Sequence, residues 1–230
     1  MFFYTKHMFY FVLFLFELVL LFVSSLFLMP VIAKLFFKLT RSKTVSVHLL
    51  FYLFLPGIII HELSHALCAG LLLVPIGQLK LYPEISEGGV RFGSIEVAHT
   101  DFLRRFIIGV APTIFGVFLL FGILYSLIQK SPFFLNSVSP LLLKSILIYL
   151  LFTIANTMFS SKKDLEGVGG LVVLVAFLLI MLYFSGININ LDFLKGNLAL
   201  VRIADFYLFV PLIVNVGFYG GISFLFLGKH

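Results

Sequence analysis

Residues 45–76 read VSVHLLFYLFLPGIIIHELSHALCAGLLLVPI, and the fold turns on how that run is understood. It exceeds the roughly 20 apolar residues that a helix needs to cross a bilayer. Residues 49–60 and 66–76 contain no charged side chain, yet His61, Glu62 and His65 stand between them. On insertion scales each ionisable group at bilayer depth costs about 2.5–3.5 kcal/mol. So dense a cluster needs a compensating partner, and a metal ion supplies one.

The spacing says what kind of site this is. On a helix, positions i and i+4 share one face a turn apart. His61 and His65 can therefore aim imidazole nitrogens at one ion, with Glu62 beside them. His61-Glu62-Leu63-Ser64-His65 is thus an H-E-x-x-H pattern, two ligands and a general base. Zn2+ suits such a donor set, and a catalytic zinc keeps three protein ligands and an open position. The chemistry expected of it is hydrolysis by a zinc-activated water, with Glu62 taking the proton. Pro56-Gly57, a turn earlier, is expected to loosen the helix and admit water.

The rest of the chain fits a membrane setting. Of its 230 residues 61% are hydrophobic and 11% charged, with mean hydropathy +1.17. Soluble domains run at about 45–50% apolar and about 25% charged. The net charge of +6 sits between hydrophobic runs, which points to lipid headgroups and topology and not to nucleic acid. Cys68, the single cysteine, excludes an internal disulfide and a multi-cysteine zinc site.

The reading is an all-α polytopic membrane protein, one domain over residues 1–230 with about six transmembrane helices. The first span is 8–29, uncleaved; the zinc-motif span is 45–76; the third is 102–128. The fourth, 141–159, leads into a ligand-bearing region reaching 167. The C-terminal spans, 168–184 and 206–227, lie within 168–227. Residues 77–100 differ: apolar and polar residues alternate around Gly88-Gly89. Period two predicts a small β-hairpin, either interfacial or re-entrant against protein. Lys and Arg divide eight to eight between the two sides, so orientation is undetermined. The expected location is the cell membrane, in multi-pass form; the sequence gives no oligomeric state.

A third ligand must come from Glu17, Glu84, Glu87, Glu96, His99, Asp101, Asp164, Glu166, Asp192 or Asp205. Asp164 has the best address, because the second and fourth spans run parallel and it lies at the exit of the fourth. The alternative for Asp164 is an interfacial charge paired with Lys162 or Lys163.

Three stretches carry a likeness to a known family. They are Ile60–Ala66, the run Gly109-Val110-Ala111-Pro112-Thr113-Ile114-Phe115-Gly116, and Asn156 followed eight residues later by Asp164. In these the chain resembles the site-2 protease family of intramembrane zinc metalloproteases. Residues 77–97 look like that family's re-entrant β element. The likeness covers about Pro56 to Gly167, roughly half the chain. It implies Asp164 as third ligand and Asn156 as a substrate contact. It also implies a transmembrane protein substrate, possibly single-pass, whose unwound segment is captured by strand addition. Asp164-Leu165-Glu166-Gly167 departs from the family's Asp-Gly, Phe159 and Ser161 replace its prolines, and no PDZ-like insert is present.

Two other functions share these residues: an inactive zinc-binding membrane adaptor, and an ion transporter. Asn156 has a bland alternative as a helix–helix hydrogen bond. Glu17 is a functional candidate or a snorkelling charge, Asn215 and Pro211 a kink or packing, and Cys68 packing.

Overall fold

The computed structural model describes residues 2–86, 89–128, 139–159 and 198–227, and 170, 173, 174, 177, 178 and 181 besides. In chain order its elements are α1 (Phe2–Thr40), α2 (Lys43–Leu71), β1 (Ile76–Lys80), β2 (Glu84–Ser86), β3 (Gly89–Arg91), β4 (Ser94–Val97), α3 (Phe102–Ile128) and α4 (Pro140–Thr157). The last described helix is α5 (Leu198–Leu227).

Helix ends follow from local chemistry. α1 runs past residue 29 because membrane helices tolerate an internal proline, here Pro30. It stops where Arg41 takes a φ of 56°. Ser42 then caps α2, its hydroxyl accepting from the Val45 N–H. α2 ends at Leu71, short of residue 76. The Leu72 N–H closes on the Cys68 carbonyl, Leu73 takes a φ of 56°, and Pro75 has no N–H with which to continue. Asp101 starts α3: the Arg104 N–H donates to Oδ1 at 2.9 Å and its guanidinium reaches Oδ2 at 3.3 Å. That backbone bond, with the guanidinium charge, holds the exposed carboxyl below the usual carboxylate range.

The strands form one long bent hairpin. The inner pair is β2–β3, in register Glu84↔Arg91 and Ile85↔Val90; the outer is β1–β4, with Leu79↔Ile95 and Lys80↔Ser94. Leu81, Tyr82 and Pro83 on one arm thus oppose only Phe92 and Gly93 on the other. This mismatch bends the ribbon. The Tyr82 ring stacks on Phe51, with centroids 6.0 Å apart. The hairpin therefore folds back along α2 from that helix's C-terminal end.

Among the described residues four helices are long and apolar enough to cross a membrane: Phe16–Thr40, Lys43–Leu71, Phe102–Leu127 and Pro140–Thr157. Leu208–Phe224 is a shorter apolar run. Large apolar side chains such as Phe118, Leu141, Ile213 and Phe224 remain exposed, as suits a lipid-facing exterior. The helix directions are set by contacts. Tyr149 Oη donates to the Leu53 carbonyl, Phe152 stacks on Phe54, and Thr153 and Thr157 abut Gly57, so α2 and α4 are parallel. Ser24 meets Asn215 and Phe27 meets Tyr219, so α1 and α5 are parallel too. Asn156 with Asn215 and Phe152 with Phe218 make α4 and α5 antiparallel. In a chain crossing a bilayer alternately, a helix parallel to the first holds an odd place. The expectation counted 168–184 as one full crossing, and most of that interval lies outside the described residues.

Helix association in lipid relies on close packing and interhelical hydrogen bonds. Both occur here. A Cβ on Gly57 would stand 2.6 Å from the Thr153 carbonyl oxygen, and one on Gly116 would stand 2.9 Å from Met158 Cβ. Asn156 and Asn215 exchange amide hydrogen bonds of 2.9 and 3.0 Å. The remaining amide hydrogens go to the Phe152 carbonyl and Ser24 Oγ, both at 2.8 Å.

Asn215→Ala is expected to destabilise the protein by about 1–2 kcal/mol in detergent unfolding, since it removes bonds joining three helices. Asn156→Ala added to it should cost less than the sum of the two single changes. Asp101 gives a pH-dependent effect. A lowered folded-state pKa stabilises above about pH 4 and fades as pH falls through it. Asp101→Ala should therefore lower the thermal midpoint at neutral pH and lose that difference in acid.

Candidate metal centre

α2 carries His61, Glu62 and His65 into the packed interior. His61 is 4% and Glu62 5% exposed, while His65 is half-buried. The two imidazole centroids lie 4.9 Å apart with ring planes at 82°. His65 Nδ1 stands 2.8 Å from the backbone carbonyl of Ile108 in the first turns of α3. A carbonyl can only accept, so Nδ1 carries the hydrogen and the lone pair is on Nε2. A bond of this kind, from the far ring nitrogen to a backbone carbonyl, is the one that orients histidines which ligate metals. The donor chemistry therefore fits a zinc ion.

The surroundings of each group come from a different element. His61 lies one turn after Gly57, where α2 touches Thr153 and Thr157 of α4. The chain leaves α4 through Met158 and Phe159, both buried, toward residue 164. Asp164 itself lies outside the described residues, as do Glu87, Glu166 and Asp192. Among the described residues no three His, Cys, Asp or Glu side chains are grouped to hold a metal. Glu84 instead pairs with Lys80 at 3.3 Å, Glu96 lies over Gly77, and Asp101 caps α3. No family model, curated protein or solved structure matches the chain.

Glu62 meets the hairpin. Gly93, at the bend, is buried with a φ of 74°. A Cβ there would come within 2.9 Å of both Cγ and Oε1 of Glu62 and 3.1 Å of Ile58 Cγ2. Only a glycine permits that backbone angle together with that approach. The sequence held a signal for it: apolar residues fall at Val90 and Phe92, then at Ile95 and Val97, so the alternation slips phase at Gly93.

Other residues settle into structural places. Asn156 makes the helix–helix bond to Asn215. Cys68 packs with Ala69, Val74, Ile108 and Ala111, its thiol 3.7 Å from the Ile107 carbonyl. Glu17 is wholly buried, which removes the snorkelling alternative.

Gly93→Ala is expected to cost about 1–3 kcal/mol, as overpacking does. In a Glu62→Ala background that cost should shrink, because the side chain being crowded is gone. Thermal unfolding of the four proteins of that cycle measures the coupling.

Proposed function

We propose that this chain is a multi-pass intramembrane zinc metalloprotease that hydrolyses peptide bonds of transmembrane protein substrates. The observation that carries the reading is the His65 Nδ1–H bond to the Ile108 carbonyl, which readies Nε2 beside His61 for a metal. The parallel course of α2 and α4 supports Asp164 as the third ligand, since α4 ends within a turn of His61's level. Zinc held by these residues would activate water and polarise the scissile carbonyl.

The protein's own groups do the rest. Glu62, buried beside the histidines, accepts the proton of the attacking water and returns it to the leaving amine. The Gly93 backbone limits where its carboxylate can lie. Among the described residues β1 pairs only with β4, and β2 only with β3. Each pair keeps an outer edge to which an extended substrate segment can add. An unwound segment is needed because a helical substrate's backbone groups are already bonded to each other. Asn156, engaged with Asn215, serves mainly to join α4 and α5, and binds substrate only if that pair opens. The span count consistent with the helix directions is odd, with all crossings in the cell membrane.

The test is cleavage of tagged single-span substrates co-expressed with wild type and with Glu62→Gln. Wild type should give a cut product, and the variant should lose it by about a hundredfold or more. Both purified proteins should still contain zinc. A variant that cleaves normally overturns the role of Glu62. Zinc in wild type without any cleavage of the panel favours the adaptor, and Glu62-independent ion flux favours the transporter.

A further inference from the structure

His65 bonds to a backbone carbonyl inside a helix, where carbonyls are ordinarily occupied. In an α-helix the carbonyl of residue i accepts from the N–H of residue i+4. For Ile108 that residue is Pro112, which lies inside α3 and has no N–H. The proline therefore leaves the Ile108 carbonyl without its α-helical donor. Its ring also presses on the carbonyl of residue i−4, tilting that carbonyl away from the helix axis. His65 Nδ1 takes up this carbonyl at 2.8 Å. The neighbouring Ile107 carbonyl, on the same opened turn, faces the Cys68 thiol at 3.7 Å.

We propose that Pro112 is a positioning residue for the metal centre: by freeing the Ile108 carbonyl it fixes the His65 tautomer and ring orientation from the neighbouring helix. This deepens the zinc-protease reading and rests on it for its purpose. The orientation of His65 depends on a defect in α3. The geometry accounts for a proline at mid-helix, where it costs the helix a bond.

The two consequences of removing the proline have opposite signs. Pro112→Ala restores an N–H for Ile108 and raises helix propensity. The metal-free variant should unfold at a higher temperature than wild type. The same N–H competes with His65 for the carbonyl, so zinc affinity should fall by about tenfold to a hundredfold, the usual effect when a ligating histidine loses the hydrogen bond that orients its ring. A merely structural proline would not weaken zinc binding while strengthening the fold. Pro30→Ala, in α1, is the control: it alters stability and leaves zinc affinity unchanged.

Nitrogen NMR of histidine-labelled, metal-free protein reads the tautomer directly. Wild type should show the His65 hydrogen on Nδ1, and Pro112→Ala should shift it toward Nε2. Zinc affinity is measured by competition with a chromophoric chelator. Unchanged tautomer and unchanged affinity in a folded Pro112→Ala protein overturn the proposal. If Pro112→Ala does not fold, Pro112→Ser supplies the same N–H and carries the same expectation. A wild type that holds the Nδ1 tautomer yet binds no zinc overturns the metal reading, and with it the purpose assigned to Pro112. The NMR result separates that failure from failure of the helix-defect argument.

Discussion

The architecture depends on how closely α2 and α4 approach at Gly57. A Cβ there would stand 2.6 Å from the Thr153 carbonyl oxygen, so no other residue allows the same separation. In lipid this kind of contact replaces the hydrophobic drive that packs soluble helices. It fixes the level at which α4 ends relative to the zinc-motif helix. Stacking of Phe54 on Phe152 and the Tyr149 bond to Leu53 hold the same two helices in parallel register. α4 therefore ends beside the turn that precedes His61, and the hairpin occupies another side of α2, against Ile58 and Glu62. With α3, which meets His65 through the Ile108 carbonyl, three elements thus converge on one stretch of α2.

Much of this was legible because its signals are local. The i, i+4 spacing of His61 and His65 needs nothing beyond helical geometry. α3 over 102–128 follows from the length of its apolar run, the β-like interval at 77–100 from period-two alternation, and the parallel course of α2 and α4 from alternate crossing. What sequence reasoning missed depends on tertiary partners. The acceptor for His65 sits in another helix, and Gly93 matters only because Glu62 lies against it. Asn156 has two readings in the sequence, and its bonded neighbour Asn215 lies on a helix far along the chain. The first span as read from the sequence is 8–29, and Pro30 and then Lys34 follow it. The bundle keeps α1 helical through both.

The helix directions come from contacts, whereas counting apolar runs treats each as a crossing. α1 and α5 run the same way while α4 opposes α5. Buried polar groups mark where these directions are fixed: Ser24, Asn156 and Asn215 satisfy one another where three helices meet. Unsatisfied amides there would cost more than the bonds contribute. These three residues thus tie α1, α4 and α5 together.

The most direct test of the central claim is proteolysis by the purified protein in liposomes, with a single-span substrate in heavy-oxygen water. The account predicts two fragments, with heavy oxygen in the newly formed carboxyl group. The product should disappear when a zinc chelator is present and return when zinc is restored. Intact substrate across the panel, in the presence of folded and zinc-loaded wild type, would contradict it.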